Sequence, residues 1–459
     1  MYRWYANAKA CAYLHDVNNI SFPTKKENEK YPRSNGWPEW FSRGWTLQEM
    51  IAPSDVQFFN ENWQLIGNKK TLWWTLTRIT GVPTCILKDG LDANRPCVAQ
   101  IMSWAANRIT TRVEDRAYSL MGPLDVNMPM VYGEGKKAFH RLQLEIIHSS
   151  DDQSIFAWGH TSNVRTGSIL ADDPSFFKDC SNMTLMDADA FIQQSKKTFP
   201  ELRSMDADDG VFPVTNRGIQ IRMLLCPYRD SKSVFRAYLP CWSGRSVTIS
   251  LALWNSNYHR YLTVQGDGLG DSPEFRQVYL RYQDTLNDAV TFEIDDNGLT
   301  ENGFTCSSFN KNPKHKGNIF TLTDANPFCI GTYSEEQGNC RFKVVVGQCL
   351  GRHWVHVEDI PPGTNSRKHL KESITQGPDW ALSISDEDFH RDKFFGRVWI
   401  RHFHLPGSPW VVRTYRVMWE RSKIGVRIEI FHGSHHRNGP DEWKAYSVGV
   451  SDFLMYMVY

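Results

Sequence analysis

Hydrophobic positions in the first third of the chain recur with helical spacing. Leu72, Leu76 and Ile79 lie at positions i, i+4 and i+7, and Gly81 and Pro83 end the pattern. Similar apolar stripes predict further helices at 98–105, 111–121 and 134–150. We therefore expect a group of packed helices between residues 67 and 160, each burying one face.

Two local signals refine the ends of these helices. Thr111 and Glu114 have the spacing of a capping box, which predicts the start of the helix at 111–121. Gly133 and Gly135 precede the last helix, but the spacing of a phosphate-binding loop is absent. These glycines are therefore predicted to form a tight junction between a loop and a helix.

Beyond residue 218 the period of the pattern changes to two. Ile219, Ile221 and Met223 alternate with Gln220 and Arg222. Further extended segments are predicted at 234–241, 247–253, 275–283, 318–323, 340–349, 397–404, 411–419 and 426–430. Many strands separated by turn residues, without intervening helices, predict a large and mostly antiparallel β region of the sandwich or barrel type.

The pattern divides the chain into four regions. Residues 1–66 contain short strands and a short helix, and residues 67–160 contain the helices described above. Residues 161–210 are rich in Asp and weakly periodic, so we expect a loop-rich connection. Residues 211–459 form the β-rich region. The predicted fold class is a multidomain α+β protein.

Composition excludes several functional classes. The chain has 459 residues and a net charge of +1, so no general attraction to nucleic acid is expected. The ten cysteines include no C-x-x-C pair, so no metal site is predicted and the thiols are expected to be reduced. No run of 18 apolar residues occurs, which predicts no membrane span and a cytoplasmic protein.

The most informative stretch runs from Trp40 to Pro53. A short helix is predicted before Pro53, with Trp45, Gln48 and Glu49 on one face. Two interpretations of the carboxylate remain open. It forms a capping box with the residue at position 46, or it is a functional group whose acidity its neighbours tune.

This stretch also carries a resemblance to a known family. The sequence of residues 43–49, Arg-Gly-Trp-Thr-Leu-Gln-Glu, resembles a motif of the fungal heterokaryon-incompatibility (HET) domain. The resemblance continues, in family order, through 52–59, 98–106, 110–122 and 125–139. The family's domain normally begins upstream of these motifs, so we expect residues 1–66 to be a partial HET region.

The resemblance implies a function in non-self recognition, in which incompatible partners trigger the death of fused cells. It also implies a fold similar to TIR domains, which are α/β folds with a parallel sheet. In NAD-cleaving TIR domains a catalytic Glu follows a Trp by four residues, as Glu49 follows Trp45. Glu49 is therefore the candidate catalytic residue, and the candidate motif residues are Arg43, Gly44, Trp45 and Gln48.

Three hypotheses follow from the residues and the resemblance together. The first is a non-self-recognition and cell-death signalling protein with protein partners and self-association. The second is an NAD nucleosidase, with NAD as substrate and no cofactor, in which a carboxylate stabilises an oxocarbenium-like state. We expect this activity to need the upstream part of the domain, so that residues 1–459 alone hydrolyse little NAD. The third is an interaction module that binds a ligand or protein through the β region.

Overall fold

The chain is described by a computed structural model. It describes residues 2–93, 95–159, 167–202, 212–229, 231–254, 256–261, 273–283, 289–309, 314–316, 319–323, 328–335, 340–349, 352–360, 379, 389–392, 396–405, 408–420 and 423–432. The helices are α1 Tyr2–Ala6, α2 Thr46–Ile51, α3 Lys69–Thr80, α4 Thr84–Asp89, α5 Val98–Ala105, α6 Asp115–Tyr118, α7 Lys137–Ser149, α8 Ala188–Thr198 and α9 Asn297–Thr300.

The helix α3 shows how closely local sequence signals determine an element. The Asn68 side chain accepts a hydrogen bond from the backbone N–H of Thr71, and the Thr71 hydroxyl accepts one from the backbone N–H of Asn68. The helix ends at Gly81, whose φ of 74° lies in the left-handed region that glycine tolerates. The predictions of α3, α5 and α7 are confirmed.

A small mixed sheet lies next to the helices. Its strands are β1 Ala10–Tyr13, β2 Val56–Phe59 and β3 Leu65–Asn68, in the order β1-β2-β3. β1 and β2 run parallel, with α2 in the connection between them, whereas β2 and β3 form an antiparallel hairpin. Residues 18–35 contain no helix or strand.

The remaining strands build three further sheets within the described residues. They are β4 Thr184–Leu185, β5 Ile219–Pro227, β6 Val234–Trp242, β7 Ser246–Trp254, β8 Asn257–Arg260, β9 Glu274–Leu280, β10 Val290–Asp295, β11 Phe304–Phe309, β12 Lys314–Lys316, β13 Ile319–Leu322, β14 Phe328–Glu335, β15 Arg341–Cys349, β16 Arg352–Asp359, β17 Phe389–Asp392, β18 Gly396–His404, β19 Trp410–Glu420 and β20 Lys423–His432.

Five of these strands close into a barrel. The order β6-β5-β9-β8-β7 is completed by pairing of β7 with β6, so the ring has no free edge. Inward residues alternate with outward ones, which is the period-two pattern of the sequence. One pair, β8 with β9, is parallel and meets at Tyr258 and Leu280.

The other two sheets bury one shared apolar cluster. A seven-stranded sheet has the order β12-β13-β10-β20-β19-β18-β17, and a four-stranded sheet has the order β11-β14-β15-β16. Phe292, Phe320 and Ile428 from the first sheet join Tyr333 and Val344 from the second. Strands β10 and β20 are parallel, so this region is mixed and not wholly antiparallel.

One apolar core links the small sheet, the helices and the barrel. It extends without interruption from Ala12 in β1 through Leu76, Met102 and Leu142 in the helices to Leu280 in β9. The α+β character of the chain is confirmed. The division of the chain into four regions, the TIR-like fold of residues 1–66 and the sandwich arrangement stay predictions.

The described part of residues 161–210 contains a helix that the sequence did not predict. α8 forms behind Asp187, whose carboxylate accepts the backbone N–H of Ala190. One prediction about local structure is wrong. The predicted helix at 111–121 is reduced to α6, and Glu114 makes no capping bond there. Its carboxylate accepts the backbone N–H groups of Gly133 and Gly135, which holds the glycine junction before α7.

Candidate functional site

The Arg-Gly pair of the motif is joined by backbone hydrogen bonds to the segment after α5. The Gly44 N–H donates to the Ile109 carbonyl at 2.9 Å, and the Ile109 N–H donates to the Ser42 carbonyl at 2.6 Å. A Cβ on Gly44 would lie 2.5 Å from Cγ2 of Thr110. Glycine fits here because the methyl group of Thr110 occupies the space that a side chain at position 44 would need.

The capping-box interpretation of the motif helix is wrong. Thr46 is the first residue of α2, and its hydroxyl donates to the carbonyls of Trp40 and Arg43 at 2.6 and 2.8 Å. Trp45 occupies the N-cap position, and no side chain caps the helix. Glu49 is therefore not engaged in capping, which leaves its carboxylate available for other contacts.

At its other end, α2 is held by a buried lysine. The Lys69 Nζ donates to the carbonyls of Ile51 and Pro53 at 2.9 and 2.7 Å. A cation at this position interacts favourably with the C-terminal end of the helix. Burial lowers the pKa of Lys69 to about 8, with the charge of Asp55 opposing this shift. Both ends of the motif helix are thus fixed by long-range bonds.

Arg108 is the buried cation at the centre of the site. Its guanidinium donates to the Arg43 carbonyl at 2.8 Å, to the Thr46 hydroxyl at 2.9 Å and to the Trp104 carbonyl at 3.2 Å. Its side chain is 4% exposed, and Nη2 has no partner among the described residues. Burial lowers the pKa of Arg108 to about 9, with the charge of Glu49 opposing this shift.

Glu49 is half-buried between a phenol and this cation. The Tyr5 hydroxyl, from α1, donates to Oε1 of Glu49 at 3.4 Å. Burial raises the pKa of Glu49 above its usual 4.5, whereas the Tyr5 hydrogen bond and the charge of Arg108 oppose that rise. A carboxyl group with a raised pKa can hold and release a proton closer to neutral pH than an exposed one.

Gln48 lies next to Glu49 in sequence but faces different neighbours. Its side chain is 1% exposed, and neither its amide nitrogen nor its amide oxygen has a partner among the described residues. A Cβ on Gly122 would lie 2.8 Å from Oε1 of Gln48 and 2.7 Å from Cβ of Tyr2. Gly122 therefore allows α1 and α2 to pack closely over this buried amide.

The structure brings together only some of the residues that the sequence predicted for the site. The backbone of Arg43 and Gly44 shapes the site, but the Arg43 side chain is exposed and donates to the Thr111 hydroxyl at 3.2 Å. The cation whose charge acts on Glu49 is Arg108, which sequence reasoning missed. The only signal for it was an arginine four residues after Trp104, just beyond the end of α5.

An open cleft lies beside the same segment. It has a volume of about 460 Å³ and is lined by Ala106, Asn107, Arg108, Ile109, Thr110, Val113, Arg116 and Asp173. Arg116 and Asp173 form a two-pronged ion pair across it. Among the described residues, no group of three or more His, Cys, Asp or Glu side chains is arranged to hold a metal ion.

Comparisons with known proteins support one relationship. The chain is 42% identical over 152 residues to "Vegetative incompatibility protein HET-E-1" from Podospora anserina. That match covers 32% of this chain and 11% of the relative, so the chain spans a small part of the relative's length. Residues 137–167, which contain α7, match a family described as "Domain of unknown function (DUF8212)".

Two solved structures are similar to part of the chain. They are the wild-type lectin XCL of Xerocomus chrysenteron and a mutant of it, at 9% and 11% identity and TM-scores of 0.22 and 0.23. Each match covers 31% of this chain and 98% or 97% of the lectin. Similarity at this level supports no statement about fold or ligand. Separately, no helix in the described part of the chain has the length and hydrophobicity needed to cross a bilayer.

Proposed function

We propose that this protein acts in fungal vegetative incompatibility, as a non-self-recognition component that signals the death of fused cells through protein partners. The observation that carries the proposal is the 42% identity over 152 residues to a vegetative incompatibility protein. The proposal includes a cytoplasmic location, because the contents of two hyphae mix when they fuse.

The arrangement of the small sheet supports a HET region of TIR-like type within this proposal. β1 and β2 are parallel, and the helix α2 lies in the connection between them. A parallel pair with a helical connection is the unit from which α/β folds are built. On this proposal, residues 43–49 lie in the connection of such a unit, which is where α/β folds place functional residues.

A test of this proposal uses intact hyphae. The full chain is expressed in a fungal strain, which is then fused with strains of different genetic backgrounds, and the viability of the fused cells is measured. We expect cell death in at least one combination and normal growth of the unfused strains. Survival of all fused combinations at a verified expression level would contradict the proposal.

A substitution in the motif tests whether the death of fused cells depends on the site around Glu49. Glu49→Gln removes the carboxylate but keeps the size of the side chain, and we expect it to abolish the death of fused cells. Glu29→Gln, at an exposed position in a loop, is the matched control and should leave the reaction unchanged. Equal reactions in both variants would show that Glu49 has no part in signalling.

A second candidate function is NAD cleavage, which the surroundings of Glu49 favour. The half-buried Glu49 can stabilise the positive charge of a ribose in its ionised form, which the charge of Arg108 favours, and the Tyr5 hydroxyl, which donates to Glu49, can help to orient the carboxylate. The test is nicotinamide release from NAD by residues 1–459, of which the sequence predicts little. Release that Glu49→Gln abolishes would support the candidate and overturn that expectation, and no release by the wild type would reject the candidate for residues 1–459.

Ligand binding by the β region stays a prediction.

A further inference from the structure

The loop between α6 and α7 displays three apolar side chains to solvent. Met130, Val131 and Tyr132 follow one another in the sequence, and each is between 46% and 50% exposed. Single apolar residues on a surface need no explanation, whereas a run of three marks a binding surface. The position of this run in an irregular loop fits that role, because loops carry many binding residues.

Polar side chains of α6, of α7 and of the residue before α6 hold this loop in place. The Val131 N–H donates to the Tyr118 hydroxyl at 2.7 Å, and the Arg141 guanidinium donates to the Pro129 carbonyl at 2.8 Å. The Glu114 carboxylate accepts two N–H groups of the glycine junction that follows, at 2.8 and 3.0 Å. A surface that is ordered before binding loses less conformational entropy when a partner binds.

The loop is connected to the open cleft beside α5. The Arg112 guanidinium lies over the Tyr132 ring, 4.7 Å from its centroid, and the next residue, Val113, lines the cleft. Ile109 also lines the cleft, and both aliphatic side chains are exposed. A cleft of about 460 Å³ has room for an apolar side chain of a partner. We call Ile109, Arg112, Val113 and Met130–Tyr132 the loop–cleft surface.

The exposed charges at the loop–cleft surface are mainly positive. Arg43, Arg112, Lys136 and Lys137 are exposed, and none of them forms an ion pair within the part of the chain that the structure describes. Arg43 lies beside the surface, because its guanidinium donates to the hydroxyl of Thr111. Lys136 and Lys137 directly follow the glycine junction that ends the loop.

The acidic groups of the same segments already have partners within the protein. Glu134 pairs with Arg141, and Asp173 pairs with Arg116. The Asp115 carboxylate accepts a hydrogen bond from the hydroxyl at position 132, at 3.0 Å. The four exposed cations therefore favour carboxylates that a partner brings.

We propose that the loop–cleft surface binds an acidic segment of a partner protein that carries apolar side chains. An apolar side chain of that segment enters the cleft against Ile109 and Val113, and its carboxylates pair with Arg43 and Arg112. Aliphatic side chains and methionine favour a protein over a nucleic acid, whose bases stack on aromatic rings. This inference goes beyond the proposed function, because binding is measurable whether or not the protein acts in incompatibility.

The first test uses a short fluorescent peptide of Glu and Leu as the probe. Its binding to residues 1–459 is followed by fluorescence anisotropy, beside two peptides in which Lys replaces every Glu or Ser replaces every Leu. We expect saturable binding of the Glu and Leu peptide, and at least about tenfold weaker binding of the other two. Absence of saturable binding, or equal binding of all three peptides, would overturn the proposal.

Matched substitutions test whether the peptide binds at this surface. Val113→Asp places a carboxylate in the wall of the cleft, and Ile20→Asp makes the same change at an exposed position outside the surface. Tyr132→Ser removes the ring beneath Arg112 and covers the case in which Val113→Asp does not fold. We expect both substitutions in the surface to weaken binding at least about tenfold, and Ile20→Asp to leave it unchanged. Binding that neither surface substitution weakens would overturn the proposal.

Anionic lipid and nucleic acid are the other partners that the same charges attract. Vesicles of phosphatidylserine and phosphatidylcholine, and a single-stranded oligonucleotide, are therefore added as competitors of the bound Glu and Leu peptide. We expect neither to displace the peptide from the wild type. Displacement by either competitor, together with binding of that competitor that Val113→Asp or Tyr132→Ser weakens, would overturn the proposal and assign the surface to that competitor.

Discussion

Two buried arginines in different parts of the molecule show what distinguishes the motif from ordinary core. Arg108 donates to two carbonyls and a hydroxyl, and the charge of Glu49 acts on it. Arg260, in the barrel strand β8, is completely buried, donates to the Trp158 carbonyl at 2.6 Å and stacks over the Trp158 ring. Burial lowers the pKa of each arginine to about 9.

The difference lies in what each charge connects. Arg108 joins segments that are distant in sequence, because its partners are Arg43, Thr46 and Trp104, and its charge opposes the rise in the pKa of Glu49. The Nε and Nη1 atoms of Arg260 have no partner among the described residues. A buried charge with several hydrogen-bond partners holds the surrounding segments together, whereas one with few such partners destabilises the core in which it lies.

The largest expected effect separates these two arginines. Arg108→Met leaves two carbonyls and a carboxylate without their cation, and we expect it to reduce the free energy of unfolding by about 3–5 kcal/mol. Arg260→Met loses one hydrogen bond but removes a desolvated charge, so we expect a change of about 1 kcal/mol or less. Chemical denaturation of both variants measures the difference. Equal losses would show that the two arginines have the same role.

A second prediction concerns pH and the neighbour of Arg260. His259 is 4% exposed, and burial lowers its pKa to about 4, with the charge of Arg281 acting in the same direction. The unfolded chain takes up a proton near pH 6.5, but the folded chain does not. Stability is therefore complete above pH 6.5, and about 3 kcal/mol is lost as the pH falls toward 4.

The control for this prediction removes the titrating group. His259→Gln should flatten the dependence of the unfolding free energy on pH between 6.5 and 4 by the same amount. The buried imidazole of His259 would then account for the loss of unfolding free energy at low pH. A wild-type pH profile that the substitution leaves unchanged would assign the loss to other groups whose pKa is lower in the folded chain than in the unfolded chain.

A third prediction tests the close approach at the motif. Gly44→Ala places a methyl group 2.5 Å from Cγ2 of Thr110, and we expect a loss of about 1–3 kcal/mol from overpacking. Thr110→Ser removes that methyl group and should restore most of the loss when the two substitutions are combined. The cycle is measured by thermal denaturation. Additive effects would mean that Thr110 is not the obstacle.

Periodicity predicted the elements of the fold better than their arrangement. The spacing of Leu72, Leu76 and Ile79 and the signals at Asn68 and Gly81 are local, so α3 could be read from sequence. Closure of the barrel depends on the pairing of β5 with β9, which is a contact across a long sequence separation, as well as on the hairpin of β6 and β7. Alternation identifies strands, but it does not identify their neighbours.

The site was predictable only where the chemistry is local. The sequence placed Glu49 on a short helix beside Trp45, and that helix is present. The roles of Thr46 and Glu114 were misassigned because a carboxylate three residues after a threonine fits a cap equally well. Arg108 and Tyr5 reach the site from segments far from the motif, so no local spacing could indicate them.

The central claim is that Glu49 is a half-buried carboxyl group poised for proton exchange and not a helix cap. Titration of the Glu49 side chain by ¹³C nuclear magnetic resonance tests it most directly. We predict a pKa for Glu49 above 4.5, because burial dominates over Tyr5 and Arg108. A carboxylate that caps a helix accepts backbone N–H bonds and has a lowered pKa, so a value below 4.5 would contradict the account.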